Sequence, residues 1–163
     1  METDNGLDQL DKRILQALQA NGRATYDEVA AGIGLSASAT LRRVKRLEEA
    51  GVITGYAAQV APEKVGLGLT AYINVRLAKA SNQRSPTDSF TAAVQSWPEV
   101  VECAALTGEM DFLLRVLVRD MAHYSAFIMD TLLKHPAVQD CKTSFMMRRL
   151  KGTTAVPVEP GTA

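Results

Sequence analysis

The first sixty residues place hydrophobic and polar positions at the spacing of three short helices. Five hydrophobic residues repeat at helical spacing in the first of them, before Asn21-Gly22: Leu7, Leu10, Ile14, Leu15 and Leu18. Thr25 with Glu28 predicts a capping box at the start of a second helix, and Gly34 predicts its left-handed end. Ser36 or Ser38 can cap a third helix. Three such helices are enough to enclose a small core.

The third helix has two faces of opposite chemistry. When each residue advances by about 100°, one third of the circumference holds Ala37, Leu41, Val44 and Leu47. Another third holds Ser38, Ala39, Arg42, Lys45 and Arg46. Four cations and no acid lie between Ser36 and Leu47. A hydrophobic stripe for docking and a cationic stripe facing outward suit the major groove of DNA, although charge runs are more often simply solvated surface.

A tight turn between two such helices predicts a helix-turn-helix unit, with strand material after it. Val52-Ile53 and Tyr56 to Val60 are the candidate wing or linker strand. The predicted DNA contacts lie at the start and on the cationic side of the third helix: Ser36, Ser38, Ala39, Thr40, Arg42, Arg43, Lys45 and Arg46.

From Thr70 the pattern changes to strands that alternate with helices. Strands are predicted over Thr70 to Leu77, Val100 to Leu106, Phe112 to Val118 and Val138 to about Met147. Ser85 with Pro86 predicts the start of one helix that ends at Pro98, and Asp120 predicts the cap of another that ends at Pro136. Strand-helix-strand-strand-helix-strand is the split-βαβ, ferredoxin-like order.

Two helices can cover only one face of such a sheet. The other face carries Tyr72, Asn74 and Arg76, with Arg115 as a further candidate, a mixture too hydrophobic in places to be left wholly to water. A homodimer built on this domain is therefore predicted. The topology also separates Cys103 and Cys141 onto opposite edges of the sheet, so we expect no disulfide between them and interpret both as buried small hydrophobic residues.

The loop from Thr107 to Asp111 joins two adjacent predicted strands. One interpretation is that Gly108 serves only an ordinary hairpin turn. It also allows backbone N–H groups to approach an anion, and Asp111 or Glu109 could receive a cation. A zwitterionic amino acid needs both partners, and hydroxyls on the last strand could add contacts if a neighbouring subunit brings them near.

Composition narrows the classes of protein without identifying one. The chain has 163 residues, 47% of them hydrophobic, and equal numbers of basic and acidic side chains, so any attraction to phosphate must come from a local patch. No hydrophobic run approaches a membrane span and the start of the chain shows no secretory signal, which predicts a cytoplasmic (nucleoid) location and no membrane partner. No metal or redox spacing, nucleophile motif or phosphate loop is found, so we predict no cofactor, no metal and no catalytic residue.

The whole chain resembles the Lrp/AsnC family of bacterial and archaeal transcriptional regulators, also called feast/famine proteins. The resemblance runs from about Leu7 to Pro157, and three segments carry it. They are Leu7 to Leu15, Gly34-Leu35-Ser36 with Arg42 to Ile53, and Thr107 to Leu114. Many members have proline in the turn after the glycine-leucine-serine, where this chain has Ala37 and Ala39.

The resemblance implies an α+β architecture, with a winged helix-turn-helix domain followed by a ferredoxin-like (ACT-like) effector domain. We expect a DNA-binding domain over residues 1–60, a hinge over 61–69, a ligand-sensing and oligomerisation domain over 70–150 and a tail over 151–163. Family membership also implies homodimers that assemble into tetramers or octamers, with an amino-acid effector held between dimers near Gly108 to Asp111. The predicted effector-binding residues are Thr107, Gly108, Glu109, Met110, Asp111, Phe112, Thr143 and Ser144.

Three functional hypotheses follow. The first is a sequence-specific regulator of transcription, controlling amino-acid metabolism, whose assembly shifts when an amino acid binds to it. The second is a nucleoid-associated protein that organises DNA with modest sequence preference. The third is a small ferredoxin-like enzyme, which is disfavoured because His123 and His135 are isolated in the sequence.

Overall fold

The computed structural model describes residues 6–79 and 85–158. The chain divides into two compact units. The helical unit comprises the described residues up to Gln59 together with 151–158, and the sheet unit comprises those from Val60 to Leu150. Among the described residues, no helix is both long and hydrophobic enough to cross a membrane.

The helical unit contains α1 (Gln9–Ala20), α2 (Tyr26–Ile33) and α3 (Ala37–Glu49). The capping box predicted for α2 is formed, because Thr25 accepts from the Glu28 N–H and Glu28 accepts from the Thr25 N–H. Gly34 ends α2 with φ of 75°, a conformation that favours glycine. Ser36, rather than Ser38, caps α3. The buried core consists of Ile14, Leu15, Val29, Val44 and Leu47.

The strand expected after α3 is not formed in this chain. Gly51 turns the backbone with φ of 68°, and residues 54–61 contain neither helix nor strand. A strand is stabilised by hydrogen bonds to a neighbouring strand, and the described part of the helical unit contains none. Tyr56 and Val60 consequently remain exposed.

The C-terminal tail packs on α1. Gln19 forms a two-way contact with the Val156 peptide group, donating from Nε2 to its oxygen at 3.0 Å and accepting from its N–H. Gln16 donates to the Val158 oxygen at 2.6 Å, and the Val158 side chain packs against the helical core. Residues 151–158 therefore belong to the helical unit, although the sheet unit precedes them in the chain.

The sheet unit has four strands in the order β2-β3-β1-β4, all antiparallel to their neighbours. The strands are β1 (Leu69–Leu77), β2 (Val100–Ala105), β3 (Phe112–Val118) and β4 (Val138–Phe145). This order confirms the predicted ferredoxin-like topology. A short 3-10 turn over Pro62–Val65 precedes β1.

Two helices supply the other layer. The first, α4 (Pro86–Val94), is capped by Ser85, and the second, α5 (Met121–Ala126), is capped by Asp120. The second helix continues as a π-helical segment over Phe127–Leu132, which the regular helical pattern did not predict. The helices cover the sheet face that carries alternate buried residues of β1 and β3: Ala71, Ile73, Val75, Leu77, Phe112, Leu114, Val116 and Val118.

The two cysteines lie on the outer strands β2 and β4, as predicted. The interpretation of both as buried residues was wrong. Cys103 is exposed, because it lies on an edge strand that the helices do not cover, and Cys141 is only half-buried. Burial still raises the pKa of both thiols.

Candidate nucleic-acid interface and ligand loop

The cationic face of α3 is smaller than the sequence indicates. Arg43 donates from Nη1 to Asp8 at 2.6 Å and to Asp11 at 2.8 Å, and Arg46 donates from Nη2 to Asp11. Two of the four cations are thus paired with carboxylates of their own helical unit. The hydrogen bonds that Arg43 donates to Asp8 and Asp11 raise the pKa of its guanidinium.

Asp11 is the centre of this arrangement. Its side chain is fully buried at 0% exposure, and its carboxylate also accepts from the Asp8 N–H at 3.2 Å. Asp8 in turn accepts from the Asp11 N–H at 2.8 Å, and this bond is the largest single cause of the lowered pKa of Asp8, with Arg43 lowering it further. The capping box of α1 therefore also holds α3, which fixes the rotation of α3 about its own axis.

This rotation differs from the one predicted. Thr40 was predicted to contact DNA, but it is fully buried with Val44 and Leu47. Leu41 was assigned to the buried stripe, but it is half-buried and lies beside Ser38, Arg42 and Lys45. Contacts with α1 and α2 determine which side of α3 is buried. Measured around the helix axis, the centre of that side lies about 100° from Leu41, at the position of the preceding residue, Thr40.

The outward face of α3 is a shallow groove that combines polar, hydrophobic and cationic groups. Arg42 and Lys45 are exposed, and neither forms an ion pair with another described residue. Ser36 is exposed but uses its hydroxyl to accept from the Ala39 N–H, and Ala39 is half-buried. The groove is lined by Ser38, Leu41, Arg42, Lys45, Arg46 and Glu49.

The β2–β3 loop, residues Thr107 to Asp111, is fastened to the end of β1. Asp111 accepts from the Leu77 N–H at 2.7 Å through Oδ2 and donates its own N–H to the Val75 oxygen at 2.9 Å. Gly108 has φ of 120°, and a Cβ placed there would meet nothing within 4 Å. The space in front of the loop is therefore open, while one oxygen of Asp111 already has a partner inside the chain.

Two basic residues approach this loop that the sequence did not single out. Arg76 on β1 donates to Glu109 at 2.6 Å, and Lys142 on β4 lies 3.6 Å from the same carboxylate oxygen. The antiparallel pairing of β1 with β3 and β4 brings them there, because Val75 pairs with both Phe112 and Cys141. The hydrogen bond from Arg76 lowers the pKa of Glu109.

Three predicted effector contacts need correction or reinterpretation. Phe112 is buried in the core under α4, with its ring 5.0 Å from that of Phe90, so it can support the loop only from beneath. Thr143 pairs with Ile73 and faces the helices, where its hydroxyl accepts from Tyr124 at 2.7 Å. Ser144 pairs with Tyr72 and faces the opposite side, because successive strand residues alternate between faces.

The uncovered face of the sheet has the mixed character that the sequence indicated. Strand register places Arg115 opposite Tyr72 and Leu113 opposite Asn74, so all four side chains share this face. Each is half-buried in the single chain. Among the described residues, no group of three or more histidine, cysteine, aspartate or glutamate side chains is arranged to hold a metal ion.

Two family models match the chain. A model described as the Lrp/AsnC ligand binding domain matches residues 70–156, and one described as a winged helix-turn-helix DNA-binding domain matches residues 7–54. Among curated proteins, "Transcriptional regulator AzlB" of Bacillus subtilis is 37% identical over 153 residues, which are 94% of this chain and 96% of that protein. The "Leucine-responsive regulatory protein" of Escherichia coli is 34% identical over 155 residues, covering 94% and 92% respectively.

Solved structures agree with these relatives. The transcriptional regulator NMB0573 from Neisseria meningitidis, crystallised as a complex with L-Met, is 48% identical and superposes with a TM-score of 0.89 over 93% of this chain and 96% of that one. An AsnC family transcriptional regulator from Agrobacterium tumefaciens is 35% identical, with a TM-score of 0.85 over 93% and 97%.

The paired carboxylate of Asp11 predicts a specific loss of stability. Asp11→Asn should lower the free energy of unfolding of the helical unit by about 2 kcal/mol, because Arg46 loses its carboxylate partner and Arg43 keeps only Asp8. Asp8→Asn should cost less than about 1 kcal/mol, since Asp8 is half exposed and asparagine is an equally good helix cap.

Chemical denaturation measured by two signals tests this prediction. Circular dichroism follows the helices, whereas Trp97, the single tryptophan of the chain, reports on the core of the sheet unit. Asp11→Asn should shift the transition seen by circular dichroism and leave the one seen by Trp97 fluorescence in place. Equal stability of the two variants would show that Asp11 does not hold α3.

Proposed function

Because this chain belongs to the Lrp/AsnC family, we propose that it is a transcriptional regulator that reads DNA through the outward face of α3 and responds to an amino acid bound at the β2–β3 loop. The observation that carries the DNA part of the proposal is the orientation of α3. Its hydrophobic side is buried, while Arg42 and Lys45 remain exposed without an ionic partner among the described residues. A helix presented in this way can enter the major groove, where arginine recognises guanine.

The proposed interface is a revised version of the sequence prediction. Ser38, Arg42 and Lys45 form its centre, with Ser36 and Ala39 near the start of α3. Arg46 lies at its edge, since it pairs with Asp11 yet keeps 56% of its side chain exposed. Arg43 and Thr40 are left out as direct contacts, because the first binds two aspartates and the second is buried.

The effector is proposed to be an amino acid. The family model for the sheet unit is that of a ligand binding domain, and the structural relative from Neisseria meningitidis was crystallised with L-Met. The open space at Gly108 and the charges around Glu109 support the β2–β3 loop as the place where it binds. We further propose control of amino-acid metabolism, in keeping with the leucine-responsive relatives.

Assembly is proposed to connect the two activities. The half-buried uncovered face of the sheet fits a homodimer, and dimers would associate further into tetramers or octamers. The effector would favour one arrangement of dimers over another, which changes the spacing of the recognition helices along DNA.

The DNA interface predicts the behaviour of a double variant. Arg42→Ala/Lys45→Ala should weaken binding to DNA fragments selected by the wild-type protein from a random pool by at least about 100-fold, since each good base contact is worth roughly 1–3 kcal/mol. Because two cations are lost, the slope of the logarithm of the binding constant against the logarithm of salt concentration should also decrease, by the equivalent of about two phosphate contacts.

The control removes the same charge elsewhere. Arg119→Ala/Lys134→Ala takes two exposed cations from the sheet unit and should bind DNA like the wild type. Wild-type affinity of Arg42→Ala/Lys45→Ala in gel-shift titrations would refute the interface. A random pool that yields no shared sequence would favour the DNA-organising alternative instead.

The effector proposal predicts selective stabilisation by amino acids. In a thermal-shift screen of the twenty amino acids, one or a few should raise the melting temperature, because a ligand at 100 times its Kd stabilises the native state by about 2.7 kcal/mol. The Arg42→Ala/Lys45→Ala variant should show the same shift, since its substitutions lie in the other unit. If no amino acid changes the melting temperature, the amino-acid part of the proposal is wrong.

A further inference from the structure

Two cations share a single carboxylate beside the β2–β3 loop. Arg76 Nη2 lies 2.6 Å from Glu109 Oε1, and Lys142 Nζ lies 3.6 Å from the same oxygen. The Glu109 side chain is 72% exposed, whereas that of Arg76 is only 33% exposed. The carboxylate therefore reaches this position from solvent, while the guanidinium is part of the sheet surface.

The guanidinium of Arg76 is incompletely satisfied. Its Nε is buried and has no hydrogen-bond partner among the described residues, and its Nη2 contacts only Glu109 and the sulfur of Met110. Arginine binds a carboxylate most strongly through two parallel N–H groups, and Glu109 takes one. A buried donor without an acceptor is unfavourable, so a carboxylate that displaces Glu109 and reaches Nε would be a better partner for this guanidinium.

A second arginine on the same face of the sheet provides the comparison. Arg115 donates from Nε to Glu102 at 3.0 Å across β2 and β3, so its Nε is satisfied. Glu102 and Arg115 are paired positions on β2 and β3, away from Gly108 in the loop. Of these two arginines, Arg76, which contacts Glu109 next to Gly108, is the one whose buried Nε has no partner among the described residues.

The other acidic side chain of the loop, that of Asp111, cannot move away as easily as that of Glu109. Asp111 uses Oδ2 to accept from the Leu77 N–H, which fastens the loop to β1. Among the described residues, Glu109 has no comparable bond to the backbone and is held by Arg76 and Lys142 alone. The side chain of Glu109 can therefore leave its position without loosening the loop.

We propose that Arg76, with Lys142 beside it, receives the carboxylate of the amino-acid effector, and that Glu109 occupies this position as an internal competitor when the effector is absent. This inference rests on the proposed function, because it assigns a role to residues at the same loop. Binding exchanges one carboxylate for another, so Glu109 lowers the affinity for the effector and Arg76 makes binding selective for a carboxylate over an uncharged group.

The experiment measures binding to the full-length protein by calorimetry. The probes are L-methionine and L-leucine, together with L-methioninamide and L-leucinamide, which keep the ammonium group and the side chain but lack the charged carboxylate. The variants are Arg76→Gln and Glu109→Gln, and the matched controls are Arg115→Gln and Glu102→Gln, which alter the other pair on the same face of the sheet.

The expected results separate a ligand contact from a structural role. Wild-type protein should bind at least one of the two amino acids about 10-fold or more tightly than its amide. Glu109→Gln should increase affinity for that amino acid several-fold. Arg76→Gln should lose that affinity and, with it, the preference over the amide, while both control variants behave like the wild type.

Three results would overturn the inference. If Arg76→Gln binds the amino acid and its amide equally more weakly than wild type, the role of Arg76 is merely structural. If Glu109→Gln binds the amino acid no more tightly than wild type, competition is excluded. Wild-type protein that binds neither L-methionine nor L-leucine would overturn the inference, and failure with all twenty amino acids in the thermal-shift screen would remove the amino-acid effector as well.

Discussion

A buried carboxylate fixes the orientation of the helix on which the proposed function depends. Asp11 is fully buried in α1 and accepts from Arg43 and Arg46 of α3, while it also completes the capping box of its own helix. A buried charge is tolerated only when it is fully paired. Rotation of α3 would take both arginines away from this carboxylate and leave it buried without a charged partner. With α3 held at this angle, Arg42 and Lys45 face outward.

The same helix α1 also receives the C-terminal tail, through Gln16 and Gln19. The chain therefore passes between its two units twice, once near Val60 and once near Lys151. The tail joins the end of the sheet unit to the helix that holds α3. The sheet unit is therefore connected to the helices covalently near Val60, and through the hydrogen bonds of the tail to α1.

Local signals in the sequence predicted the helical unit well. The capping box at Thr25 and the left-handed Gly34 arise from interactions within a few residues, and helical periodicity predicted the buried Val44 and Leu47; the structure confirms all of them. The pairing of Arg43 with Asp8 and Asp11 joins positions more than thirty residues apart. Helical periodicity carries no information about such contacts, so the four cations of α3 looked equally free.

In the sheet unit, alternation along the strands predicted the buried face, but it could not assign the neighbours of the loop. Strand register, which depends on the whole sheet, brings Arg76 and Lys142 to Glu109 and turns Thr143 toward Tyr124. Cys103 is exposed for a similar reason, since an edge strand is covered only where a helix extends over it. The positions of the strands could be predicted from the sequence, whereas the covering of the sheet by helices and the contacts between strands depend on the assembled sheet.

Lysine acetylation in the presence and absence of DNA tests the central claim, that α3 presents its outward face to the duplex. Lys45 lies on that face, and Lys134, which is 67% exposed, lies on the sheet unit and provides an internal reference. Mass spectrometry should show that DNA selected by the protein slows the acetylation of Lys45 several-fold and leaves Lys134 unchanged. Equal acetylation of Lys45 with and without bound DNA would contradict the account.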